Sequence, residues 1–226
     1  MKREMDINEV SDGKRYSSND MAKIGCDECS GCSDCCTGMG SSILLDPYDV
    51  YQLTRNLNRS FDELMSQNLD GKEGSAGVIG LDVVDGLILP HLNMVGKQER
   101  CSFLNEEGRC GIHSFRPGFC RLFPLGRIYE NGSFQYFHQI HECRKTHCTK
   151  VKINKWLGIP NLKKYEQFVL DWHDFLEKVG EEIRESNEED AVKQIGLSLL
   201  YVFYRKPYDF QRDFYEQFYE KLENLI

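Results

Sequence analysis

The residues able to do chemistry in this chain are its cysteines: 10 among 226 residues, every one between Cys26 and Cys148. Five stand in one run, Cys26-x2-Cys29-x2-Cys32-x2-Cys35-Cys36. Sulfurs at a constant two-residue interval let a short loop turn successive thiolates toward one centre, much as ferredoxin-type runs hold an iron–sulfur cluster. Zinc sites tend instead to pair two separated CxxC knuckles into a tetrahedron. Neighbouring side chains diverge, so Cys35 and Cys36 both act as ligands only if they reach different irons or different metal sites. A second group, Cys101, Cys110 and Cys120, followed by Cys143 and Cys148, matches no knuckle spacing. Together the two groups supply thiolates for two four-ligand sites, or for one site with spare sulfurs. The alternative, small buried apolar side chains, fits poorly with five cysteines in eleven residues. Clustered thiolates repel one another. A bound metal cation is the simplest remedy, with Arg116 and Arg121 available to offset residual negative charge.

Other polar candidates are weaker. His138, His141 and His147 flank Cys143 and Cys148, but the alternation Phe137-His138-Gln139-Ile140-His141 favours a strand with exposed imidazoles over a mixed site. His91 and His173 have no evident metal partner, and turn chemistry accounts for Asp85. Arg116 and Arg121 have two readings, left open at this point: satisfying backbone carbonyls or a carboxylate, or contacting the sulfurs and tuning their charge. No Ser-His-Asp order, P-loop or HExxH stretch is present, so hydrolase and nucleotide-binding readings lack motif support.

The CxxCxxCC run at Cys29–Cys36, combined with CxFL, CxI and RPxxCRxFP between Cys101 and Pro124, resembles the YkgJ-type cysteine-cluster family over roughly residues 20–150. The resemblance implies a zinc- or iron-chelating domain. Eight cysteines carry over: Cys29, Cys32, Cys35, Cys36, Cys101, Cys110, Cys120 and Cys143. Cys26 extends the run as in a GCxxCxGCxxCC variant, and Cys148 has no counterpart. His113 stands where the family often has Tyr, which argues against it as a ligand. The same domain resembles that of flagellin lysine N-methylases, which implies an iron–sulfur cluster and S-adenosylmethionine. The chain itself carries no Gly-rich strand-to-helix fingerprint for S-adenosylmethionine.

The elements that must position these residues follow from local patterns. Ile43–Leu45 reads as a short buried strand. Asp46-Pro47 opens a helix through Val50, Leu53 and Leu57, and Ser60 with Glu63 makes a capping box before a helix at Phe61–Gln67. Residues 71–80 read as a Gly-rich loop. Asp85-Gly86 and Asn131-Gly132 are type I′ hairpin signals, the first between Leu81–Val84 and Leu87–Leu89, the second between Gly126–Glu130 and Ser133–Phe137. Beyond Cys148 the stripe Leu162, Tyr165, Phe168, Trp172, Phe175, Val179, Ile183 predicts one long amphipathic helix. Asn187 is the expected cap of a helix burying Val192, Ile195, Leu199 and Val202, and Pro207 ends it. Asp209 is the expected cap of a last helix through Phe210, Phe214, Phe218 and Leu222.

The fold class expected is therefore α+β: a small cysteine-rich metal-binding domain with β-hairpins, plus a C-terminal helical bundle. The division expected is an N-terminal arm at 1–25, the cysteine domain at 26–150 and helices at 151–226. A net charge of −8 argues against a broad grip on nucleic acid or anionic membrane. The longest apolar run, Ile195–Tyr204, is about half of what a bilayer span needs, and the polar first residues lack a secretory apolar core. The expected compartment is the cytoplasm, where surplus cysteines point to metal or redox chemistry.

The leading expectation is a metal-cluster protein holding an iron–sulfur cluster, 4Fe-4S first, on Cys26, Cys29, Cys32, Cys35, Cys36, Cys101, Cys110, Cys120 and Cys143. Redox chemistry or protein methylation would be its role, with an unidentified protein or small molecule as substrate. The alternatives are a zinc-binding interaction module without catalysis and a metal sensor or delivery protein.

Overall fold

A computed structural model of the chain describes residues 7–26, 32–69, 77–140, 142–143, 147–186 and 188–225. Cys29, His141 and Asn187 lie outside the described residues.

The chain begins with a single turn, α1 (Ile7–Val10), and a strand, β1 (Met21–Gly25). The segment at Ile43–Leu45 runs extended against later residues: the Leu45 N–H donates to the Pro90 carbonyl and the Leu92 N–H to that of Ile43. Asp46 then caps α2 (Pro47–Leu57) through a complete capping box with Asp49, and Pro47 occupies the first turn, where its missing N–H costs nothing. Ser60 and Glu63 make the same reciprocal pair for α3 (Phe61–Ser66).

Two hairpins follow, β2 (Ile79–Val84) with β3 (Leu87–Leu92), and β6 (Leu125–Glu130) with β7 (Ser133–His138). Their two-residue turns have positive φ at both positions, +52° and +85° for Asp85-Gly86 and +53° and +67° for Asn131-Gly132, as type I′ turns require. Strand β2 starts at Ile79, inside the stretch expected to be loop. Between the hairpins lie a short ribbon, β4 (Met94–Val95) on β5 (Arg100–Cys101), and the five-residue helix α4 (Gly118–Leu122). Strand β8 (Thr149–Lys152) returns antiparallel to β1, tying residues before the cysteine run to residues after it.

The C-terminal helices are α5 (Ile153–Leu157), α6 (Leu162–Glu185), α7 (Glu189–Leu200) and α8 (Phe214–Glu223). Helix α6 buries Tyr165, Phe168, Trp172, Val179 and Ile183, as its periodicity predicts. Two expectations are corrected. Asp209 does not cap the last helix: Asp213 does, accepting from the N–H groups of Tyr215 and Glu216, and Phe210 is left exposed. Helix α7 runs directly into a wider π turn at Tyr201–Arg205. Leu199 and Leu200 are buried and Val192 and Ile195 only half-buried; past the wider turn the face shifts, so Phe203 and Tyr204 are buried and Val202 only half-buried.

Buried side chains from Ala22 to Phe218 form one connected cluster, so the hairpins and the helices share a core. Aromatic rings fill its helical side: Phe168 meets Phe218 edge-on at 4.7 Å, and Trp172 meets Phe203 at 4.9 Å. Among the described residues, no helix is long and apolar enough to cross a membrane.

Candidate metal centre

Five cysteines from separate parts of the sequence line one small cavity: Cys35, Cys36, Cys101, Cys110 and Cys120. Cys35 and Cys36 sit in a single 3-10 turn, Asp34–Cys36, which keeps their sulfurs 3.9 Å apart despite their adjacency. Cys101 ends β5. Cys110 stands where a turn closes on Leu104, the Asn105 N–H donating to the Arg109 carbonyl and the Gly111 N–H to that of Phe103. Cys120 projects from α4. Ile43, Leu92, Ile112 and Pro117 complete an apolar wall, and Arg116 supplies the positive charge. The cavity holds about 30 Å³.

Helix α4 is fixed from two sides. The buried carboxylate of Asp49 accepts from the Gly118 N–H at 2.7 Å, and the Tyr165 hydroxyl packs so close to Gly118 that a Cβ there would lie 2.1 Å from it. Neither Asp49 nor Tyr165 stood out in the sequence as serving the cysteines.

The two arginines separate. Arg121 belongs to the backbone: Nε donates to the Arg116 carbonyl at 2.9 Å and Nη1 to that of Leu157 at 3.3 Å. Arg116 lines the thiol cavity and shares a 2.8 Å hydrogen bond between Nη1 and His113 Nε2. His113 thus faces Arg116. His138 ends β7, and His91 Nδ1 pairs with the Leu92 carbonyl at 3.0 Å. His173 stacks on Tyr129 with ring centroids 3.7 Å apart.

Cys26, Cys32, Cys143 and Cys148 are not part of this wall. Cys26 is buried just past β1 and Cys148 just before β8, flanking the paired residues Gly25 and Thr149. Among the described residues, no group of three His, Cys, Asp or Glu side chains stands ready to hold a metal ion. The five thiols share a wall without a closed shell.

Electrostatics explains why a cation suits this wall. Burial pushes Cys101 up to about 11 and also raises Cys110 and Cys120. Cys36 is raised by its contact with Cys35, which is itself lowered to about 7 because the neighbouring thiol donates to it and Arg116 stands nearby. Four of the five are therefore held as thiols by burial and mutual repulsion, and a soft divalent cation reverses that balance by binding thiolates outright. The donor set fits zinc or iron: sulfur ligands, an apolar wall and one guanidinium.

An α+β chain that gathers thiols in this way defines a cysteine-based metal-binding domain. The chain belongs to the CxxCxxCC family, whose model matches residues 28–149 and is described as a "putative zinc- or iron-chelating domain". Neither the curated proteins nor the solved structures give a match.

Proposed function

We propose that the protein binds iron as an iron–sulfur cluster held by Cys35, Cys36, Cys101, Cys110 and Cys120, with Cys29 and Cys32 of the same run available to it. The observation that supports a metal here is five thiols on one cavity wall. A tetrahedral ion and an iron–sulfur cluster each take four cysteines, so iron over zinc rests on the constant two-residue interval from Cys26 to Cys35. A bound cluster would supply one-electron chemistry, and its potential would respond to the Arg116 charge and to the apolar wall. A redox role in the cytoplasm is the activity this favours. Protein methylation rests on resemblance only.

A second reading has its own support. A cavity of about 30 Å³ accepts a single ion more readily than a cubane, which favours a structural zinc site in an interaction module. Rotation about the Cys χ1 angles changes both the cavity's size and which sulfurs face it, so this volume does not exclude a cluster.

The test is to purify the full chain without oxygen and measure iron, zinc and acid-labile sulfide per chain with a visible spectrum. Iron with matching sulfide supports the cluster. Zinc without sulfide overturns it in favour of the single-ion module.

A further inference from the structure

On the far side of α4, Arg127 of β6 presents a buried guanidinium whose Nε and Nη2 have no hydrogen-bond partner, and the buried Tyr165 hydroxyl beside it has none either. The guanidinium sits over three rings, Phe134 at 5.4 Å, Tyr165 at 5.7 Å and Tyr136 at 5.9 Å. Rings cover its faces; the Tyr129, Tyr136 and Tyr165 hydroxyls and the Asp46 carboxylate lie near it, yet Nε and Nη2 meet none of them in hydrogen-bond geometry. Arginine cannot shed its proton to escape the cost of burial, and the ion pairs among the described residues all lie elsewhere. Nε and Nη2 form the fork that matches a carboxylate in bidentate geometry.

Arg127 and Tyr165 line a cavity of about 250 Å³. Leu87 and Leu89 of β3 and Trp172 and Leu176 of α6 make its apolar walls. Asp46 and Asp49 also line it, with oxygens already engaged: Asp46 accepts from the Asp49 N–H, and Asp49 from those of Asp46 and Gly118. Helix α4 contributes to both cavities, Cys120 to the thiol cavity and Phe119 with Leu122 to this one.

We infer that this cavity binds a small monocarboxylate with an apolar or aromatic body, its carboxylate on Arg127 Nε and Nη2 and Tyr165 Oη, its body against Leu87, Leu89 and Trp172. Four acidic side chains on the cavity wall, Asp46, Asp49, Asp85 and Glu177, disfavour a dianion such as a phosphate monoester. The inference stands independently of the metal that the thiols hold.

The probes are butanoate, 3-phenylpropanoate and indole-3-acetate, titrated calorimetrically into the full chain as purified, with 3-phenylpropanol and phenyl phosphate as neutral and dianionic comparators. The expected result is saturable one-to-one binding of at least one carboxylate, weakened roughly 30-fold or more in Arg127→Met and equally for the alcohol. Leu176→Trp, which fills the cavity and leaves the guanidinium in place, should also abolish it, and decides the matter if Arg127→Met does not fold. No saturable binding of any carboxylate overturns the inference. So does binding unchanged in a folded variant, or equal affinity for phenyl phosphate. Metal per chain, measured on the same samples, tests the thiol centre separately, since either site can fail while the other stands.

Discussion

Cys110 and Cys120 reach the thiol cavity from segments that share no local spacing with the CxxCxxCC run. If they hold the metal, Cys110→Ser and Cys120→Ser should each lower metal per chain, because a hydroxyl is a poorer ligand for zinc or iron than a thiolate. His113→Ala should keep its metal, since that imidazole faces Arg116. Elemental analysis of the three variants checks both statements. Lys221 gives a prediction on pH. Burial lowers its ammonium from 10.5 to about 7, although Nζ donates to the Lys206 carbonyl at 2.6 Å and sits 3.5 Å from the Tyr208 ring. Between about 7 and 10.5 the unfolded chain binds the proton and the folded one does not, so stability rises with pH in that window and is flat below it. Lys221→Met should remove that rise, read as the difference in urea midpoints at pH 7 and pH 9.

At the scale of elements, α4 is the piece on which both cavities depend. Gly118→Ala should push it away from the Tyr165 hydroxyl, because the added Cβ would lie 2.1 Å from that oxygen. The expected outcome is a loss of about 1–3 kcal/mol in stability with reduced metal per chain, measured by denaturant melts and elemental analysis. Helix α3 tests an ordinary cap. Ser60→Ala removes the oxygen that the Glu63 N–H meets and should cost about 1 kcal/mol, with metal content unchanged. The two hairpin turns were legible in the sequence because Asp-Gly and Asn-Gly tolerate positive φ locally. The cap of α8 was not legible. Asp209 and Asp213 are equally good caps by type. The choice between them rests on where Tyr208 and Phe214 pack.

In the whole molecule, one core joins the hairpins to the helices, yet the two sides are held differently. The helical side rests on aromatic packing, with Phe168, Phe203 and Phe218 fully buried. The cysteine side places five thiols in an apolar wall, an arrangement that metal stabilises. Stripping the metal with a strong chelator should therefore raise amide exchange first around residues 100–122, while 162–185 stays protected. Hydrogen exchange with mass spectrometry reads both. Exchange unchanged at residues 100–122 after the metal is removed would mean that the metal contributes little to the fold.

The sequence alone determined the chemistry available, cysteines in a metal-holding density, and the elements whose signals are local: the capped helices, the type I′ turns and the long stripe of α6. Those signals act within a few residues, through φ preference, capping and periodicity. Only the tertiary structure decided which thiols share a cavity, which arginine faces them and that Arg127 lies buried without a partner at its edge. The hairpin pattern leaves open which face of β6 turns inward. Leu125 and Arg127 share a face by the strand's two-residue period, and the burial of Leu125 marks that face as the inward one. Contacts between residues 35 and 120, or 49 and 118, come from packing separate elements, and no local rule in the chain encodes them.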